Sequence, residues 1–272
     1  MNLSKLPQRS PIGHKGTFGT VAVFGGYKTD QSVMFGGTVL AATAALKAGA
    51  GKVTLVMPQN ILPVAIEMLP QAVGESMSEQ SHPKAQCFLV GPCLGREKTQ
   101  RTLLQNLLSK NVPMVIDADA LSIIAENPEG WPAKTDAILT PHIGEFERLT
   151  KTFGIDTNTS VQSRAAKLAQ KLGVVFVVKN STTTVCSGEQ TWQLDKPNPA
   201  LATAGSGDVL SGLIAGLVAQ FYPKQLDLFE CAQLGVALHS QAGELWSKLH
   251  GDQGLILAEL IDLVPEAAAR LR

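Results

Sequence analysis

Asp208 closes a run of small residues, Ala204-Gly205-Ser206-Gly207, and opens a stripe of Val209, Leu210, Leu213, Ile214, Leu217 and Val218 spaced as one face of a helix. A helix start offers unpaired N–H groups and the positive end of the dipole. Glycines let an anion come close to those donors, so Gly205, Ser206 and Gly207 suit a phosphate. The same dipole favours an ionised Asp208, yet a phosphate site asks for donors rather than a carboxylate. Asp in a first helical turn is common on its own. The longer string from Asn198-Pro199 to Asp208, set in a loop after a hairpin, is more than a cap requires.

The elements around this junction are short β-rich runs alternating with helical patterns. Residues 20–24, 52–56, 86–90, 114–117, 137–140 and 174–179 read as strands. They are almost wholly apolar, as expected of parallel strands covered on both faces. Val161, Ala165, Leu168, Ala169 and Leu172 mark one helix that ends at Gly173, and an Ala-rich helix from Gly36 closes at Gly49 and Gly51. Residues 182–195 read as a hairpin turning at Ser187-Gly188, followed by helices near 208–220, 228–249 and 255–264. The pattern predicts an α/β fold of three layers, a central mostly parallel sheet flanked by helices. The connections are short and nothing repeats, so residues 1–272 are expected to form one domain.

Ligands of such sheets sit beyond the carboxyl ends of the strands. Those ends carry GGYKTD, GPCLG, DADAL, TPHIGEFE and KNSTTT, all rich in Gly, polar and charged residues.

Composition narrows the function. Hydrophobic residues make up 44% and charged residues 17% of the 272, and 23 Lys+Arg balance 23 Asp+Glu. Nucleic-acid or membrane-surface binding would call for a basic excess. The four cysteines, Cys87, Cys93, Cys186 and Cys231, lie far apart with no CxxC spacing, so reduced thiols are expected rather than disulfides or a zinc site. The amino terminus has no apolar signal-peptide core, and no apolar run reaches the roughly 20 residues of a membrane span. A cytoplasmic location is the expectation.

TAGSGDVLSGLIAGL resembles the G-x-G-D motif of the ribokinase-like superfamily. HKGTFGTVAVFGG, GPCLG, VIDADAL, ILTPHIGEFERL and NPALATAGSGDVLSG then occur in the order seen in ADP-dependent NAD(P)H-hydrate dehydratases, and the resemblance covers essentially the whole chain. GxGD alone is shared with sugar and vitamin kinases; the ordered set with HKGxxG and TPHxGE is much more specific. The resemblance implies a ribokinase-like fold. It also implies repair of the S epimer of hydrated NADH or NADPH (NADHX or NADPHX): a nucleotide phosphorylates the ring hydroxyl, and phosphate then leaves. Asp208 is implied as the base that deprotonates this hydroxyl, and the glycine amides as the anion hole. Mg²⁺ is expected with the nucleotide, and ADP is favoured over ATP as donor.

Other roles are implied by position. Gly37, where many relatives have alanine, Cys93 and His142 match substrate contacts. Lys179, Asn180, Ser181, Thr182 and Thr183 match the adenine-nucleotide loop, with Gly207 also touching the nucleotide. Two residues depart from the usual pattern: Asn180 stands where relatives have Gly, and Cys93 replaces the middle glycine of G-P-G-L-G. Asn tolerates left-handed backbone; a Cys side chain would crowd a substrate close to the backbone. Several readings stay open. His142 is a substrate contact or a loop cap, and Glu145 orients a metal-bound water or caps a helix. Asp117 and Asp119 bind metal, or Asp119 is an N-cap. His14 and Lys15 meet a phosphate or solvate a loop. His82, His250 and the final EAAARLR read as surface. The Ala-rich helix serves subunit packing or sheet packing.

No epimerase domain is expected in the chain, so a separate NAD(P)H-hydrate epimerase is the implied pathway partner, and a homotetramer is the implied assembly. The competing readings are a kinase of a vitamin precursor or sugar, which shares Asp208 and the anion hole, and a nucleotide-binding regulator without catalysis.

Overall fold

The computed structural model describes residues 3–132, 134–188 and 190–272. The chain opens with β1 (Thr20–Phe24), a small hairpin of β2 (Tyr27–Lys28) and β3 (Val33–Met34), α1 (Gly36–Lys47), β4 (Lys52–Met57), α2 (Leu62–Met68) and β5 (Val73–Ser76). It continues through β6 (Cys87–Val90), α3 (Lys98–Leu108), β7 (Met114–Ile116), α4 (Ala118–Glu126), β8 (Ala137–Leu139), α5 (Ile143–Thr152), α6 (Val161–Leu172) and β9 (Val175–Val178). The hairpin β10 (Thr182–Ser187) and β11 (Gln190–Asp195) precedes α7 (Ser206–Phe221), α8 (Leu228–His250), α9 (Leu257–Asp262) and α10 (Val264–Arg270). Nine strands form one sheet in the order β11-β10-β9-β8-β7-β6-β1-β4-β5. Strands β9 through β5 are parallel; β10 and β11 are antiparallel.

The apolar runs are explained by two covered faces. Val21 and Val23 of β1 join a core with α1, α7 and α8, while Ala22 and Phe24 join a second core with α3 to α6. Caps fix where helices begin and end. Ser160 accepts the Ser163 N–H at the start of α6, and Gly173 closes that helix at φ 68°.

Helices α1 and α7 meet backbone to backbone. A Cβ on Gly212 would overlap the Ala41 carbonyl, and one on Gly216 would reach the Ala45 carbonyl at 2.7 Å. The Ala-rich face of α1 is therefore spent inside the chain: Ala41, Ala42, Ala44 and Ala45 are fully buried. Gly212→Ala is expected to lose about 2–3 kcal/mol by overpacking, measured by urea unfolding; an unchanged midpoint would contradict this contact.

The expected last helix is interrupted. It runs as α9 and α10, with Pro265 in the first turn of α10, where its missing N–H costs nothing. The final EAAARLR is not all surface, since Ala267 is buried in α10. Neither α2, only seven residues long, nor β5, a mostly exposed edge strand reading VGES, carries a pattern that marks it in the sequence. Among the described residues no helix is long and apolar enough to cross a membrane.

The sheet order places the switch point at β1, which has β4 on one side and β6 on the other. The crevice beyond their carboxyl ends receives the start of α1 and the loop after β6.

Candidate active site

Four segments converge beyond the strand ends. The first is the start of α7. Gly205 takes φ 90°, a left-handed value that glycine adopts freely. Ser206 spends its N–H on the Thr203 carbonyl at 3.2 Å, and its Oγ lies 3.1 Å from His239 Nε2 on α8. The N–H groups of Gly207 and Asp208 lie in the first turn, where no intrahelical acceptor exists.

The second segment follows β9. Lys179 donates from Nζ to Asp117 Oδ1 at 2.8 Å. Asp117 is only 1% exposed and caps α4, its Oδ1 also accepting the Ala118 N–H at 3.0 Å. A Cβ on Gly207 would stand 3.0 Å from Lys179 Nζ, so the ammonium group sits over the anion-binding turn.

His142 and Glu145 form the third, a reciprocal capping box at the start of α5. His142 Nδ1 accepts from the N–H groups of Gly144 (3.0 Å) and Glu145 (3.4 Å), and Glu145 Oε2 accepts from His142 N–H (2.9 Å). The capping reading of both residues is thus realised in the geometry, while the His142 ring remains more than half exposed beside the cavity. The fourth is the loop after β6, where Asp119 Oδ2 accepts the Gly95 N–H at 2.9 Å and Cys93 adopts φ 55°. The N-cap of α4 is Asp117 rather than Asp119, because Asp117 is the residue with extended backbone at the helix start.

These charges act on one another. Asp208 is pushed up to about 7, first by burial and then by Asp117, with Asp119 and Glu145 adding to the rise and Lys179 opposing it. The dipole at the start of α7 therefore does not keep Asp208 fully ionised at neutral pH. A carboxyl poised there is well matched to taking a proton near pH 7. Burial likewise raises Glu145 and lowers His239 to about 4, so the His239 ring is neutral at pH 7.

A cavity of about 660 Å³ opens beside this turn. Lys179, Ser206 and Gly207 line one part of it, and Leu194, Pro197, Pro199, Leu201 and Val236 give the rest an apolar wall. The volume is in the range of small-molecule and cofactor sites. One polar, cationic, donor-rich end and one apolar region suit a nucleotide.

Of the residues singled out from the sequence, His142, Lys179, Asn180, Ser181, Thr183, Ser206 and Gly207 border the cavity. Thr182 does not. Strand alternation turns it away from Thr183, and its Oγ1 donates to Asp195 Oδ1 at 2.7 Å. Gly37, Cys93 and Asp208 adjoin one another next to the Gly207 end. Asn180 needs no left-handed tolerance: among the described residues the non-glycine positive φ values are at Cys93 and Ala118. His14 and Lys15 lie at the opposite end of the sheet, with the Lys15 carbonyl against Gly51 just before β4 begins. Sequence reasoning missed His239, whose signal was a lone titratable side chain inside an apolar helix, and the pairing of Lys179 with Asp117.

The switch-point crevice, the glycine-bordered helix start and the carboxylate beside it define a ribokinase-like α/β protein. A solved relative shares this fold over nearly its full length: the ADP/ATP-dependent NAD(P)H-hydrate dehydratase of Bacillus subtilis, co-crystallised with ATP and Mg²⁺. It matches with a TM-score of 0.85 at 28% identity, covering 98% of this chain and 95% of that one. Residues 21–266 match the family described as NAD(P)H-hydrate dehydratase, and the chain belongs to that family. An ADP-dependent (S)-NAD(P)H-hydrate dehydratase of Neisseria meningitidis is 36% identical over 267 residues, 93% of this chain and 86% of the relative. The bifunctional NAD(P)H-hydrate repair enzyme Nnr of Coxiella burnetii is 35% identical over 264 residues. That alignment takes in 94% of this chain and 51% of the relative, so the chain spans about half the length of several curated relatives it matches.

Proposed function

We propose that this protein is an ADP-dependent dehydratase that returns the S epimer of NADHX or NADPHX to NADH or NADPH. The observation that carries the reading is the pairing of a carboxyl poised near 7 with the open N–H groups of the α7 start and the Lys179 ammonium above them. Family membership and the names of the relatives support the substrate.

In this reading Asp208 takes the proton of the ring hydroxyl as its oxygen attacks the terminal phosphorus of the nucleotide. The bond from that phosphorus to its bridging oxygen breaks, and with ADP as donor AMP departs with that oxygen. Gly207, with the Gly205–Ser206 turn, holds the transferring group, and Lys179 offsets its charge. Phosphate then leaves the ring carbon as the ring nitrogen donates its electron pair, and loss of the neighbouring proton restores the dihydronicotinamide. Asn180, Ser181 and Thr183 border the nucleotide, while Gly37, Cys93 and His142 border the dinucleotide.

Among the described residues no three His, Cys, Asp or Glu side chains form a metal cage. Such a donor set would suit a Mg²⁺ held mainly by nucleotide phosphates and water. Such an ion would neutralise charge on the phosphates during transfer.

The reading extends to one dehydratase domain over these residues, an epimerase as pathway partner supplying the S epimer, and a cytoplasmic homotetramer. Four free thiols support a reducing compartment, and exposed Val64, Met68 and Val73 at the α2–β5 edge support self-association, which light scattering tests. The deciding assay mixes protein, hydrated NADH and Mg²⁺ with ADP or ATP separately and follows the near-ultraviolet NADH band. Recovery with ADP is expected. No recovery with either nucleotide, using protein that binds nucleotide, would overturn the proposal and favour a kinase.

A further inference from the structure

Gly37 is the second residue of α1, and Cys93 lies in the loop after β6. A Cβ built on Gly37 would stand 2.5 Å from Asp208 Oδ2 and 3.0 Å from Cys93 Sγ. Three elements thus share one methyl-sized space. The loop keeps a side chain at Cys93 although φ 55° disfavours one. Its flanks are pinned: Thr38 Oγ1 donates to the Pro92 carbonyl at 2.7 Å, and Asp119 holds the Gly95 N–H at 2.9 Å. The thiol meets the Gly37 and Thr38 N–H groups at the start of α1.

We propose that Gly37 and Cys93 are a single steric unit that positions Asp208: the absent Cβ at 37 admits the carboxylate, and the thiol closes the space that remains. Both are positioning residues, and the inference rests on reading Asp208 as the base. The thiol keeps water from one side of the carboxylate, and burial is the first cause of the raised Asp208 pKa. The other groups facing Asp208 are Asp117 and Asp119 from the β7–α4 segment, Glu145 from α5 and Lys179 after β9. Cys93 is itself raised by burial and by Asp208, so it stays a neutral thiol at working pH.

The test compares the natural protein with G37A, C93G and the double variant. G37A is expected to lower kcat/KM roughly tenfold or more, mainly through kcat, because the methyl displaces the carboxylate. C93G admits water beside Asp208 and moves the acid limb of the kcat/KM profile to lower pH, by about half a unit or more. In the double variant the start of α1 can shift into the room the thiol leaves and carry the methyl off the carboxylate, so activity returns to within about threefold of C93G. C93S, close to Cys in volume, is expected to keep the acid limb nearer its natural position than C93G does, and it carries the test if G37A does not fold.

Independent losses in the double variant, or an acid limb that C93G leaves unmoved, would overturn the steric unit. Thermal midpoints of the same four proteins need no substrate. Non-additive midpoints in a protein that dehydrates nothing would sink the proposed activity and keep the steric unit. Additive midpoints would sink the unit alone.

Discussion

Asp208→Asn lowers turnover about 10³-fold and leaves nucleotide affinity within about twofold, because a positioned base supplies roughly 10²–10⁴ of the rate and Asn keeps the shape without accepting the proton. In the unmodified protein kcat/KM should rise with pH through about 7, the value at which the free enzyme's Asp208 gives up its proton. A fully active Asn variant would remove Asp208 from the chemistry. The same substitution has an opposite effect on stability. Asp208 is raised in the folded state, so between about pH 4 and 7 the folded protein binds the proton that the unfolded chain has lost. Stability therefore falls as pH rises through that window, and the loss is complete above the folded value. The ceiling is about 4 kcal/mol from the shift itself, and solvent in the adjoining cavity reduces it to about 1–2 kcal/mol. The Asn variant escapes this cost. Its melting temperature relative to the parent should be a few degrees higher at pH 8 than at pH 5; an equal difference at both values would contradict the buried, acid-crowded setting of Asp208.

Much of this setting is legible in the sequence. The strands were legible because burial on both faces leaves unbroken apolar runs, as in β1, and α6 because Ser160 and Gly173 mark its ends. Gly205, Ser206, Gly207 and Asp208 were legible because a glycine-bordered acid at a helix start is a local pattern. What escaped was non-local. Asp119 suggested an N-cap by its spacing, but capping depends on which residue holds extended backbone, and that is Asp117. The sequence leaves His14 and Lys15 open between a phosphate contact and a solvated loop, because their end of the sheet is set by the direction of β1 and β4. Thr182 and Thr183 are adjacent in sequence, and only the register of β10 separates the one on the cavity from the one on Asp195. The raised Asp208 pKa depends first on burial and then on acids brought from two other segments, so no local pattern contained it.

The ion pair between Lys179 and Asp117 offers the sharpest separation of electrostatic from structural roles. Lys179→Met strands a carboxylate that is 1% exposed, and breaking such a pair costs about 3–5 kcal/mol when both partners are buried. The Lys179 side chain is 20% exposed, so about 2–4 kcal/mol is expected here, read by urea unfolding. Loss of the ammonium over Gly207 should also cost about 10²–10³ in kcat/KM, the usual scale for removing a group that stabilises developing charge. The pH profile then carries a sign. Lys179 holds the Asp208 pKa down, so its removal moves the acid limb above about 7; Asp117 holds it up, so Asp117→Asn moves the limb below. A purely structural pair would lose stability in both variants and shift the limb in neither. Opposed shifts would show that one buried pair both secures the strand ends and tunes the carboxyl beside them. That explains why an ion pair stands here although an apolar contact of similar volume would stabilise the fold as well.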